Sequence, residues 1–78
     1  MSVKAYVLIV TDPGRTKEAY ESVREVPGVS EVHEVMGPYD IVAEVEGESL
    51  AEISAILGQH IRRVEGVQST VSLVTFPD

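Results

Sequence analysis

The sequence predicts a single α+β domain over residues 1–78, in which a four-stranded antiparallel sheet carries two helices on one face. Two observations lead to this fold class. The apolar pattern changes along the chain in the order strand, helix, strand, strand, helix, strand. A short segment, Val26-Pro27-Gly28-Val29, also recurs as Val64-Glu65-Gly66-Val67, each time where a helix passes into a strand. One βαβ unit used twice, with right-handed crossovers and a hairpin between the halves, gives the ferredoxin-like βαββαβ sandwich.

The first half of the chain supplies two strands and the first helix. Residues 3–10 are rich in β-branched side chains with apolar groups on both alternating faces, which is typical of a central strand buried on both sides. From Arg15 to about Glu25 the apolar residues fall on one face of a helix. Pro27-Gly28 ends that helix, and a strand pattern resumes over 29–36.

The second half repeats this order. Residues 40–46 alternate in hydropathy and are expected to pair with the preceding strand as a hairpin. Ser49 and Glu52 form a capping-box pattern, which predicts the start of the second helix. The apolar face of this helix is predicted to consist of Ile53, Ile56, Leu57, Ile61 and Val64. Residues 67–76 are predicted to form the last strand.

The charged residues argue against two classes of partner. The chain has 13 acidic and 6 basic residues, a formal net charge of −7, and the basic residues are scattered. A nucleic-acid binder needs clustered lysine and arginine, so no direct contact with DNA or RNA is expected. The acidity disfavours anionic membranes, and no apolar run approaches the roughly 20 residues of a membrane span. The N-terminus has no signal-peptide pattern, so we expect a cytoplasmic protein.

Chain length and cysteine usage predict self-association. A domain this small is marginally stable alone, and the absence of cysteine excludes disulfides and thiolate metal sites. A partner subunit is the remaining common supplement. The first and last strands also carry apolar residues on both faces, although helices would cover only one. We therefore expect a homodimer joined through its sheets or through sheet edges.

The two histidines are the first candidates for catalysis. An imidazole side chain suits acid–base chemistry near neutrality, and His33 would share a strand face with Glu31. No nucleophile stands at a recognisable spacing, so no enzymatic activity is expected. His60 is interpreted as a packing residue of the second helix. An alternative remains, because small dimeric enzymes of this fold use a histidine or tyrosine in a cleft between helices and sheet. His33 and Tyr6 would then be the acting residues.

Two further charged groups have simple explanations. Glu44, Glu46 and Glu48 lie along a strand edge and a helix start and do not converge in a loop, so neither a metal site nor a cofactor is expected. The Arg62-Arg63 pair is explained by the negative partial charge at the C-terminal end of the second helix.

The turn Met36-Gly37-Pro38-Tyr39-Asp40 is the strongest candidate for binding. In a purely structural role, Asp40 would bond backbone N–H groups and Tyr39 would cover the hairpin. In a binding role, turn amides would face a carboxylate and Asp40 an ammonium, so the ligand would be an amino acid. The residue chemistry leaves both interpretations open. In the binding role, replacing Asp40 with alanine is expected to abolish binding without unfolding the protein.

This turn, preceded by residues 32–35 and followed by Val64-Glu65-Gly66-Val67 and a last strand rich in hydroxyls, resembles the C-terminal effector domain, or RAM domain, of the leucine-responsive regulatory protein (Lrp/AsnC) family. The resemblance covers nearly the whole chain. It implies a ferredoxin-like domain that dimerises through its sheets, forms rings of dimers, often octamers, and holds amino-acid effectors between dimers. A module that assembles without any ligand is the third possibility.

Position by position, the resemblance assigns the effector turn to Gly37, Tyr39 and Asp40, and the hydroxyl positions of the last strand to Thr70 and Ser72. Pro38 departs from the family pattern and removes one turn N–H. Family regulators carry an N-terminal DNA-binding domain, whereas this chain starts at its first strand. The resemblance therefore implies a stand-alone effector-binding domain, with co-assembly with a full-length regulator as a further expectation.

Overall fold

The structure is a computed structural model that describes residues 2–76. Its elements are β1 Val3–Thr11, α1 Thr16–Arg24, β2 Val29–Glu34, β3 Ile41–Gly47, α2 Leu50–Gln59, a single 3₁₀ turn Ile61–Arg63, and β4 Val67–Val74. The strands form one antiparallel sheet in the order β2-β3-β1-β4. The predicted ferredoxin-like topology is confirmed, and β1 is a central strand as expected. The prediction that β1 is buried on both sides is wrong within one subunit, because Tyr6 on its other face is 37% exposed.

The core lies between the sheet and the two helices. Ala5, Val7 and Ile9 alternate along β1 and are fully buried, because their side chains point towards the helices. The other members of the core are Ala19, Val23, Ile41, Ala43, Val45, Ile53, Ile56, Leu57 and Ile61. Burying each valine, isoleucine or leucine side chain of this core contributes about 1.5–3 kcal/mol, which makes this face of the sheet the main source of stability.

The internal repeat found in the sequence is a repeated backbone turn. Gly28 and Gly66 have φ values of 98° and 93°. In the first turn Val29 N–H donates to the Val26 carbonyl at 3.1 Å, and in the second Val67 N–H donates to the Val64 carbonyl at 3.2 Å. The Gly28 carbonyl accepts from Glu46 N–H at 2.9 Å, and the Gly66 carbonyl accepts from Asp12 N–H at 2.8 Å. Each turn thus fastens the end of a strand in the opposite half.

The start of α2 confirms the predicted cap. Ser49 Oγ accepts from Glu52 N–H at 3.2 Å, and Glu52 Oε2 accepts from Glu48 N–H at 3.1 Å. The end of the helix differs from the prediction, because α2 stops at Gln59 and Ile61 is buried from the following 3₁₀ turn. His60 is exposed between the two segments, so its interpretation as a packing residue is wrong.

The two outer strands are shorter than predicted. β2 ends at Glu34 instead of residue 36, although Val35 N–H still donates to the Asp40 carbonyl at 2.9 Å. β4 ends at Val74 instead of residue 76. Both are edge strands, so one side of each lacks a ladder partner within the described chain to extend it.

The second face of the sheet is not covered by the helices. Tyr6 and Leu8 of β1 lie on it, beside Val42 of β3 and Val71 and Leu73 of β4. Tyr6 is 37% exposed and Leu73 is 52% exposed. The apolar surface expected from the sequence is therefore present. Within residues 2–76, no helix is long and apolar enough to cross a membrane.

Candidate functional site

The hairpin turn between β2 and β3 projects away from the core. Gly37 has a φ of 140°, in the region that favours glycine, and a Cβ at this position would meet no atom within 4 Å. Met36 is fully exposed and Tyr39 is half-buried. The turn therefore stands open to solvent, and its glycine is required by the backbone and not by crowding.

Asp40 is fixed at the base of this turn. Its backbone N–H donates to the Ile9 carbonyl at 2.9 Å. Its carboxylate oxygen Oδ2 accepts from Thr11 N–H at 2.8 Å and from Thr11 Oγ1 at 3.2 Å. Thr11 is only 6% exposed, and its hydroxyl also lies 2.6 Å from Thr16 Oγ1. Asp40 therefore bonds a backbone N–H, as the structural interpretation required, while Oδ1 takes part in neither bond.

Thr70 and Ser72 lie on the helix-side face of β4, because their register partners in β1 are Ile9 and Val7. Thr70 Oγ1 accepts from Arg62 Nε at 3.3 Å. Ser72 Oγ is buried and, within the described chain, has no hydrogen-bond partner. An unpaired buried hydroxyl is unfavourable by about 1–3 kcal/mol, so Ser72 is a group that would gain from a partner.

The structure brings the two halves of the predicted site to the same end of the sheet. Ile9 lies between them, because Asp40 bonds its carbonyl and Thr70 is its register partner. Two strand spacings, about 10 Å, separate the backbones of Asp40 and Thr70. The sheet thus gathers residues 30 positions apart, but the two clusters flank β1 and do not touch.

Arg62 is a residue that the sequence interpretation missed. Its Nε is bonded to Thr70, so the side chain turns towards β4, although a helix-dipole role alone would predict no such partner. The sequence pattern indicates only that Arg62 points away from the apolar side of Ile61. The contact between Arg62 and Thr70 depends on the 3₁₀ turn, which the sequence pattern did not predict.

His33 and Tyr6 do not form the intra-subunit cleft that an enzyme would need. Both are exposed on the open face of the sheet, His33 in β2 and Tyr6 in β1, with β3 between them. His33 Nε2 lies 3.1 Å from Glu31 Oε1, so the predicted shared face is confirmed. An open cavity of about 330 Å³ touches His33 from the α1 side, but Tyr6 does not line it.

Glu44 and Glu46 belong to an inner strand, β3, and not to the sheet edge expected from the sequence, and Glu44 is half-buried. Glu44 lies 3.3 Å from Lys4 Nζ, and this hydrogen-bonded carboxylate raises the pKa of Lys4 above its ordinary value. Glu46 and Glu48 are exposed. In the described part of the chain, no group of three or more potential ligand residues is placed to hold a metal ion.

Comparison with known proteins assigns the sequence to one group of relatives. Residues 4–76 match the family model described as the Lrp/AsnC ligand binding domain. An uncharacterised HTH-type transcriptional regulator of Pyrococcus furiosus is 39% identical over 79 residues, which cover 97% of this chain and 53% of the regulator. The chain thus spans about half the length of such curated relatives. A homocitrate synthase of Sulfurisphaera tokodaii is 45% identical over 47 residues, 60% of this chain but only 10% of that enzyme.

Solved structures show the same fold in both short and long chains. A protein of Thermus thermophilus is 37% identical with a TM-score of 0.92, and the match covers 97% of this chain and 95% of that one. A Neisseria meningitidis transcriptional regulator in complex with L-Met has a TM-score of 0.85 at 18% identity, covering 97% of this chain and 51% of the regulator.

Proposed function

Because the chain belongs to the Lrp/AsnC ligand-binding domain family, we propose that it is a non-enzymatic, cytoplasmic domain that binds an amino acid and self-associates. Asp40 contacts the ligand ammonium and the turn at Gly37 and Tyr39 contacts its carboxylate, while Thr70 and Ser72 supply neutral hydrogen bonds. The L-Met complex of the Neisseria regulator supports a ligand of this class.

One observation carries this proposal. Asp40 and Thr70 are 30 positions apart, yet they lie on either side of Ile9 at the same end of the sheet. A chance resemblance in two short motifs would not require both motifs to lie at one end of the sheet. Ser72, whose buried hydroxyl has no partner among residues 2–76, lies two positions further along the same face of β4.

The proposed assembly uses the open face of the sheet. Four strands spaced by about 4.8 Å, each with about seven residues of 3.4 Å rise, give a face of roughly 19 by 24 Å. This flat area of about 460 Å² is somewhat over half of the roughly 800 Å² per partner that a stable interface buries, and the loops around the sheet would have to supply the rest. Leu8, Val42 and Val71 occupy the middle of this face. Dimers formed here then assemble into a ring, for which we propose an octamer.

Ligand binding between dimers would regulate the assembly. A ligand shifts an equilibrium only by its differential affinity for the two states, so a site completed by a second dimer favours the ring. Co-assembly with a full-length regulator of the family would follow from the same contacts. A domain that assembles without ligand is the competing proposal.

The test is a thermal-shift screen of the twenty amino acids, with the assembly mass measured by light scattering with and without each hit. We expect at least one amino acid to stabilise the protein and to change or tighten the assembly. Asp40→Asn should remove this stabilisation, because it removes the charge but keeps an acceptor for Thr11. Glu48→Gln, which removes an exposed carboxylate at the other end of β3, is the matched control.

Two results would contradict the proposal. Unchanged affinity in Asp40→Asn would exclude the role assigned to its charge. A stable ring with no response to any amino acid would instead favour the assembly module.

A further inference from the structure

An open cavity of about 240 Å³ lies between the 3₁₀ turn and the first half of β4. It is lined by Arg62, Val67, Gln68, Ser69 and Thr70. None of these residues is acidic, although acidic residues outnumber basic ones 13 to 6 in the chain. The lining combines one positive charge with hydroxyl and amide groups, which is the composition that suits a small anion.

Arg62 is held at this cavity without a carboxylate partner. Three of the six basic residues lie within 4 Å of a glutamate. Lys17, Arg62 and Arg63 have no such ion pair among residues 2–76, and of these three only Arg62 lines this cavity. Its Nε donates to Thr70 Oγ1 at 3.3 Å, which orients the guanidinium and leaves the two terminal nitrogens for other acceptors. A guanidinium fixed in this way presents parallel N–H donors that match a carboxylate.

We infer that Arg62 and Thr70 form a carboxylate-binding subsite in this cavity. The inference rests on the proposed function and deepens it, because it adds a ligand-binding group, the Arg62 guanidinium, that lies outside the effector turn. The carboxylate is either the α-carboxyl group of an amino acid, which Arg62 then holds in place of the turn at Gly37 and Tyr39, or an acidic side chain. Arg63 is the internal comparison, since it belongs to the same 3₁₀ turn but does not line the cavity.

The first test needs no knowledge of the natural ligand. Sodium acetate is titrated into the isotope-labelled protein while the amide resonances of Ser69 and Thr70 and the Nε–H resonance of Arg62 are followed by NMR, with sodium chloride as the control salt. We expect saturable shifts with acetate that chloride does not produce. Arg62→Gln should weaken acetate binding by about tenfold or more, as expected for loss of a charge-assisted pair, and Arg63→Gln should leave it unchanged.

Two results would overturn the inference. One is that acetate and chloride shift these resonances equally. The other is that Arg62→Gln retains the acetate response at Ser69 and Thr70.

The second test identifies which carboxylate binds, and it shows whether the inference and the proposed function stand or fail independently. Each of the twenty amino acids and its α-carboxamide is screened against the wild type, Arg62→Gln and Arg63→Gln. If the α-carboxamide binds more weakly than the amino acid to the wild type, but not to Arg62→Gln, then Arg62 binds the α-carboxylate. Binding of L-glutamate or L-aspartate but not of L-glutamine or L-asparagine assigns the side chain. If acetate binds through Arg62 while no amino acid binds, the subsite stands and the proposed function fails.

Discussion

Replacing Asp40 with alanine is expected to destabilise the domain even in the absence of ligand. The Asp40 carboxylate accepts from Thr11 N–H at 2.8 Å, and Thr11 is only 6% exposed. The Thr11 hydroxyl keeps Thr16 as a partner at 2.6 Å, so the main loss is the backbone bond. A buried donor left without a partner is unfavourable by about 1–3 kcal/mol. We expect the free energy of unfolding to fall by about 2 kcal/mol, which lowers Tm by about 8–16 °C in a domain of this size.

Asp40→Asn separates this structural role from the charge. Asparagine retains an acceptor for Thr11 N–H, so we expect it to reduce the free energy of unfolding by less than about 1 kcal/mol. Both variants are compared with the wild type by thermal and urea denaturation at one protein concentration, because self-association makes Tm depend on concentration. An alanine variant within about 0.5 kcal/mol of the wild type, or an asparagine variant as unstable as the alanine one, would refute the argument. Alanine is thus a poor probe of binding here, contrary to the expectation from sequence.

Three further predictions concern the sheet and the site. Leu8→Glu, at the middle of the open face, should convert the assembly to monomers in light scattering, whereas Leu50→Glu on an exposed helix position should not; an intact assembly in Leu8→Glu would exclude this face as the interface. Gly37→Ala should lower the free energy of unfolding by about 1 kcal/mol in urea denaturation, because the φ of 140° is strained for alanine; no change would mean that the turn relaxes. Ser72→Ala should leave the free domain as stable or raise its stability by up to about 1 kcal/mol while weakening ligand binding, and a loss of stability would show that the hydroxyl is paired in the assembly.

The sequence was most informative where a local pattern determines the structure. The apolar residues on both faces of β1 predicted its central position, and the structure places it between β3 and β4 with one face against the helices. The repeated Pro-Gly and Glu-Gly segments predicted two equivalent helix exits, and Gly28 shows why this works. A Cβ there would approach Ile56 Cδ1 at 2.5 Å, so the backbone turn and the packing both require glycine.

Contacts between distant residues could not be predicted in the same way. Asp40 bonds Thr11, 29 residues earlier, because the β1–β3 register places Ile9 beside Ile41 and brings the two strand ends together. Arg62 reaches Thr70 because α2 ends two residues before Ile61 and a 3₁₀ turn reorients the chain. Hydrophobic periodicity predicts that Ile61 belongs to α2, so it predicts the wrong orientation for the side chain of Arg62.

The opposite charges of Asp40 and Arg62 bear on whether one subunit holds the whole ligand. The ammonium and carboxylate of an α-amino acid are neighbours, whereas the backbones that carry Asp40 and Thr70 are about 10 Å apart. Asp40 Oδ2 is also occupied by Thr11. We therefore predict that Asp40 of one subunit and Arg62 of another complete each site. Asp40→Asn and Arg62→Gln subunits, each inactive alone, should regain binding at about a quarter of the sites when denatured together, refolded and titrated by calorimetry. If one subunit supplies both groups, every site in the mixture carries a defect, and no binding will return.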